Sequence, residues 1–380
     1  MVVDPTLALL HDLVAIDSVN PSLVPGARGE AEIARRVATA CIDSRLQVEV
    51  TEVARGRPNV VGVLEGRAPG PALMFCGHLD TVGVAGMERP FDPVTRDGRL
   101  YGRGAQDMKG GVAAMIGAAR LIAESGGLAR GRLIVAAVID EEHASLGAEA
   151  LVAKWRADAA VVTEPTDLDI AIAHKGFQWV EVDTRGRAAH GSRPRDGRDA
   201  ILRMGRVLSR LESLDRRLQL GIPHAILGTA SLHASVIAGG RELSSYPDRC
   251  SVQLERRTLP GEAPGIALRE VQDILEAARR EDPEFEGDAR LLFGRDGYEI
   301  ASSHPLPGML ERAAASAGCA PRRVGMTFWS DAAILGAAGI PTVLFGPGGA
   351  GLHSAEEYVR VEDVLQCRDG LAALVREYVS

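Results

Sequence analysis

The sequence predicts an α/β fold, a mostly parallel sheet with helices on both faces, interrupted by an inserted α+β unit. Three observations carry this. First, short and nearly continuous apolar runs recur: ALMFC at 72–76, LIVAAVI at 133–139, AAVVT at 159–163 and TVLF at 342–345. Strands apolar on both sides need helices on each side, as in a parallel sheet. Second, stretches with helical spacing of apolar residues lie around and between them, at 5–16, 29–43, 111–125 and 145–155. Third, the middle of the chain changes period. FQWVEVDTRG (177–186), SLHASVIAGG (231–240), CSVQLERRTLPG (250–261) and DARLLFG (288–294) read as half-buried strands, with helical stretches at 199–214 and 265–281.

That middle order, β-α-β-β-α-β, is of ferredoxin-like type. It places an inserted α+β unit at 175–297, with the α/β domain formed by 1–174 and 298–380. Ahead of the first apolar run, LQVEVTEV and NVVGVLEG alternate as strands. The chain has 380 residues, enough for two cores. A net charge of -8 argues against nucleic acid or an anionic membrane as partner. No apolar run approaches the roughly 18 residues of a membrane span, and the N-terminus lacks the basic start of a signal peptide. The five cysteines (Cys41, Cys76, Cys250, Cys319, Cys367) are scattered and never form a CxxC pair. They read as free thiols in a reducing, cytoplasmic setting.

Ligand-type side chains gather in five segments. These are GHLDTVG (His78, Asp80), GRGAQDMKGG (Asp107), IDEEHASLG (Asp140, Glu141, Glu142), VVTEPTD (Glu164) and GPGGAGLHSAEE (His353). Four of them follow a buried-strand run, so they belong at the carboxyl ends of the strands, where open α/β sheets bind ligands. Asp107 precedes the 111–125 helix, where the helix dipole favours a carboxylate. Two imidazoles and several carboxylates without a thiolate suit zinc, cobalt or manganese. About five ligands exceed the needs of one catalytic zinc and fit a bridged pair. His78 and Asp80, two apart on a strand, share a face, so Asp80 is expected to hydrogen-bond and orient the imidazole; direct metal ligation by Asp80 is the alternative. Glu141 and Glu142 must point apart, one toward metal and one toward a water whose proton it moves. Strand alternation leaves Arg256 and Arg257 as alternatives for the arginine that faces a pocket.

With these motifs, together with AAHGSRP and LHSAEEYV, nearly the whole chain resembles the M20 family of metallopeptidases and deacylases. The resemblance implies that His78 and Glu164 bind one metal, Glu142 and His353 the other, and that Asp107 bridges them. It implies two divalent ions per chain, zinc with cobalt or manganese as alternatives. Glu141 becomes the general base and acid in hydrolysis of an amide. His190 matches a lid histidine that helps hold the oxyanion in a neighbouring subunit's site. Arg257 matches a lid arginine that pairs with a substrate carboxylate. The expected substrate is an N-acyl-amino acid or short peptide, and the expected assembly a homodimer through the inserted domain. The alternatives are a dipeptidase or aminopeptidase of the same fold, or an inactive metal-binding assembly protein. This chain departs from the family at Ser245, where relatives often carry Asn before Pro-Asp, a change that bears on carboxylate recognition or substrate size.

Overall fold

A computed structural model describes residues 4–379. The chain divides into two compact units: Met1–Ile172 with Ile300–Val324 and Ser330–Ser380, and Ala173–Glu299 with Gly325–Trp329.

The first unit is built on a mixed sheet. Its strands run in the order Gln47–Ala54, Arg57–Glu65, Arg132–Val138, Ala72–His78, Ala159–Val162, Thr342–Leu344 and Ile170–His174. The four strands from Arg132–Val138 to Thr342–Leu344 are mutually parallel, and the flanking pairs are antiparallel. Every residue of Ala72–His78 and of Ala159–Val162 is buried, as their apolar runs require. The helix Gly110–Glu124 packs on Ala72–His78 and against the helices Pro5–Val14 and Val361–Tyr378. Its glycine start is a packing device: a Cβ on Gly111 would collide with the carbonyl of Thr163. A further small sheet joins Gly349–Ala350, Tyr358–Arg360, Arg99–Tyr101 and Val94–Arg96.

The second unit has the order Gly176–Arg185, helix Ala200–Gln219, Ser231–Gly239, Arg249–Thr258, helix Ile266–Glu281 and Glu286–Arg295. Its sheet order, Ser231–Gly239 / Arg249–Thr258 / Gly176–Arg185 / Glu286–Arg295, is antiparallel throughout. One face packs on the two helices through Val180, Val182, Val252, Leu254, Val207 and Val271. The other carries Phe177, Trp179 and Phe293 in mutual ring contact. This unit extends two residues beyond each edge of the expected 175–297 insertion. It also takes up Gly325–Trp329, which periodicity gave no reason to place there. The cause is local: Lys175 N–H donates to the Met326 carbonyl (3.1 Å), and the Trp329 ring meets Phe177 edge-on at 6.2 Å.

All five cysteines are free, four of them buried. Among the described residues no helix is long and apolar enough to cross a membrane.

Candidate metal centre

Strand ends position most of the centre. His78 is the last residue of Ala72–His78, Glu141 and Glu142 follow Arg132–Val138 after a two-residue step, and Glu164 follows Ala159–Val162. Asp107 sits in the turn Ala105–Lys109, itself extended at φ -115° and ψ 96°, just ahead of the helix starting at Gly110. His353 comes from the loop after Gly349–Ala350, at a left-handed φ of 57°.

These side chains converge. Ligand atoms of His78, Glu141 and Glu164 lie within 4.8 Å of one another, and so do those of His78, Asp107 and Glu142. Asp107 spans two imidazoles: Oδ1 is 3.0 Å from His78 Nε2, and Oδ2 is 3.3 Å from His353 Nε2. His353 Nε2 is also 3.2 Å from Glu142 Oε2. His78, Glu164 and Asp80 are buried, whereas the His353 side chain is 54% exposed.

The electrostatics are those of a centre short of positive charge. Burial, then repulsion from Glu164, pushes the Glu141 carboxyl well above its usual range. Burial, then repulsion from Asp107 against the pull of His78, does the same to Glu164. Burial opposes charge on His78, yet its hydrogen bond to Asp107 and the nearby Glu164 and Glu141 outweigh that and hold its pKa high. Hydrogen bonds to Asp107 and Glu142 raise His353 to about 10. The Glu142 Oε1 atom is buried without a hydrogen-bond partner. Four carboxylates, one of them with this orphaned oxygen, and two imidazoles fit divalent cations, which would supply the counter-charge the side chains lack.

The surroundings correct one expectation. His78 Nδ1 is held by the backbone carbonyl of Asp80 at 2.9 Å, while the Asp80 carboxylate lies 3.6 Å away, beyond hydrogen-bond reach. The chain leaves its strand at His78, so the same-face rule of an extended strand no longer applies at Asp80. The carboxylate accepts instead from the N–H groups of Glu141 and Glu142, both at 3.1 Å.

Sequence reasoning also passed over Glu357. This buried carboxylate accepts from Gly104 N (3.0 Å), Gln106 N (2.9 Å) and Asp107 N (3.1 Å), and from Arg103 Nη1 at 2.6 Å. It shapes the turn that presents Asp107. The one available signal was its place in the Glu-Glu pair of LHSAEEYV, four residues after His353.

His190 and Arg257 belong to the second unit. His190 is exposed, with Nδ1 2.8 Å from Ser192 Oγ, and its backbone bridges to Ser245. The neighbouring arginines part company. Arg256 is fully buried on the helix-covered face, with ion pairs to Glu262 (2.7 Å) and Glu270 (3.1 Å). Arg257 lies on the opposite face, 5.7 Å from the Phe177 ring centre, with Nε on Glu255 at 2.8 Å.

The sequence model of peptidase family M20/M25/M40 matches residues 74–377. The chain belongs to peptidase family M20. Among its M20 relatives is the acetylornithine deacetylase of Myxococcus xanthus, 32% identical over 98% of this chain and 97% of the relative. A tripeptidase from Staphylococcus aureus shares the fold at a TM-score of 0.84 and 21% identity, over 98% of each chain. A Bacillus subtilis M20 protein described as a dinuclear metal-binding peptidase superposes at 0.74 with 17% identity, over 98% of each chain. Family M20 comprises metallopeptidases and deacylases, and the α/β architecture found here is the one those M20 structures share.

Proposed function

We propose that this chain hydrolyses the amide bond of an N-acyl-amino acid or short peptide, with Glu141 as general base and acid. The observation that carries this reading is the placing of Asp107 between two histidines, with Glu142 beside one of them. His78 and Glu164 would hold one divalent cation, Glu142 and His353 a second, with Asp107 bridging; zinc suits this donor set, with cobalt or manganese next. Such cations polarise a carbonyl oxygen and acidify water.

Glu141 shares the cluster of His78 and Glu164. Its carboxylate takes a proton from the attacking water and returns it to the departing amine. Its place supports that role: the Glu141 carboxyl is within 4.8 Å of the His78 and Glu164 ligand atoms, and burial raises its pKa above the usual carboxylate range. Arg257, on the face carrying Phe177, Trp179 and Phe293, is assigned to a substrate carboxylate, and His190 to oxyanion support from a partner subunit. A substrate carboxylate favours deacylation or carboxypeptidase chemistry over recognition of a free amine.

Homodimerisation through the second unit is part of the proposal. The strand Ser231–Gly239 is an edge of its sheet and exposes Val236 and Ile237 by 56% and 55%. The buried free thiols support a reducing, cytoplasmic setting.

The deciding experiment combines Glu141→Gln with metal analysis. The expected result is a kcat lowered by about 10³-fold or more on N-acyl-amino acids and dipeptides, with metal content unchanged from the parent protein. Retained turnover in that variant would refute the assignment of Glu141.

A further inference from the structure

Behind the centre, within the first unit, lies a buried polar assembly that none of the proposed chemistry uses directly. Asn20 is fully buried. Its Nδ2 donates to Asp80 Oδ2 at 2.8 Å and to Asp140 Oδ1 at 3.1 Å. Its Oδ1 accepts from Ser22 N–H at 2.8 Å, which fixes the amide orientation and turns the amino group to the two carboxylates. Arg57 Nη2 reaches the same Asp140 oxygen at 2.8 Å, while its Nε donates to Glu30 Oε2 at 2.7 Å. Glu30, Asp80 and Asp140 are each at most 1% exposed and Arg57 8%.

This assembly grips the backbone on both sides of Glu141. Asp140, the residue before it, adopts a φ of 69°, in the left-handed region that a non-glycine residue rarely enters. Its side chain is tied by Asn20 and Arg57, and its carbonyl accepts from Ala144 N at 3.1 Å and Ser145 N at 2.6 Å. On the other side, the Asp80 carboxylate receives the N–H groups of Glu141 and Glu142. One amide therefore couples the carboxylate that holds those two N–H groups to the carboxylate that precedes them.

We propose that Asn20 is a positioning residue for the Asp140–Glu142 turn, with Arg57 supporting it, so that Asn20 sets the aim of both Glu141 and Glu142. The inference rests on the reading of Glu141 as base and Glu142 as metal ligand. Asn20→Asp is the sharpest probe: it is nearly isosteric, yet it replaces the donor with a third acceptor between two buried carboxylates. Arg57→Lys keeps a charge and loses the fork that serves Glu30 and Asp140 together.

The test measures kcat and KM, zinc affinity by competition with a chromophoric chelator, and thermal unfolding with and without zinc. Asn20→Asp is expected to lower kcat about 100-fold with KM within about twofold. It is also expected to weaken one of two zinc equivalents about 10- to 100-fold while sparing the other. Arg57→Lys should show the same pattern at about tenfold. A residue that merely supports the fold would lower the melting temperature without separating kcat from KM or one zinc from the other. Folded Asn20→Asp with kcat within about threefold of the parent and both zinc affinities intact overturns the inference. If that variant does not fold, Arg57→Lys decides by the same criteria. Glu141→Gln, assayed alongside, keeps the two readings apart: activity in that variant refutes the base assignment, whereas an inactive Glu141→Gln beside an unaffected Asn20→Asp refutes only the positioning role.

Discussion

The two sheets of this protein solve the same problem differently. In the first unit the strand Ala72–His78 is buried at every position, so its interior residues serve packing and chemistry is confined to where the strand ends. In the second unit Arg249–Thr258 alternates between buried and more accessible positions along its whole length, so it offers a full face of side chains for other uses. The parallel sheet gathers ligand-type side chains at its carboxyl edge, and the antiparallel sheet presents side chains across a face. Adjacent residues show the contrast most sharply in Arg256 and Arg257, one locked into the helix-covered face and the other beside the aromatic rings.

The largest effect should come from Phe75, which is fully buried in the central sheet. Phe75→Ala is expected to cost about 3–5 kcal/mol in urea unfolding. Trp179→Ala, on the open face of the other sheet at 40% exposure, should cost only about 1 kcal/mol, the worth of its ring contacts. Equal costs would break the comparison.

A pH test follows at the last residue of Ile170–His174. Burial lowers the pKa of His174 from 6.5 to about 4, against a small opposing pull from the Lys175 carbonyl. Because the folded pKa is depressed, the neutral ring contributes fully above pH 6.5, and that stability is lost as the pH falls toward 4. The loss totals about 3 kcal/mol. His174→Phe should flatten this acid limb of the stability profile; an unchanged limb would show that other groups cause it.

The arginine pair gives a smaller and more discriminating contrast. Arg256→Met should destabilise by about 2–3 kcal/mol, because it leaves Glu262 and Glu270 without their buried partner. Arg257→Ala should cost less than about 1 kcal/mol in stability and raise KM about tenfold for carboxylate-bearing substrates. Reversal of the two would mean that the helix-covered face, and not the open one, meets substrate.

Much of this was legible before any coordinates. Runs such as ALMFC announced buried parallel strands, and the ligand-type residues just beyond them announced a shared edge, because strand direction fixes where a parallel sheet ends. Alternation predicted the second sheet but left the choice between Arg256 and Arg257 open, since a pattern of period two has no absolute phase until a helix covers one side. The partner of the Asp80 carboxylate was misread for a related reason: a rule for extended strands was carried past the end of the strand. Asn20, Arg57 and Glu357 were invisible because their roles depend on partners 27 to 254 positions away, and a lone buried polar residue leaves no local period.

Glu357 has a consequence for the order of assembly. The turn bearing Asp107 is tied to a carboxylate some 250 positions later in the chain, and His353 comes just before it. A nascent chain that has emerged only through the 342–344 strand therefore has a sheet to form but neither the last ligand nor the clasp for the turn. Contacts of such long range close slowly. Closure of the Asp107 turn therefore waits until residues 353–357 are available to it.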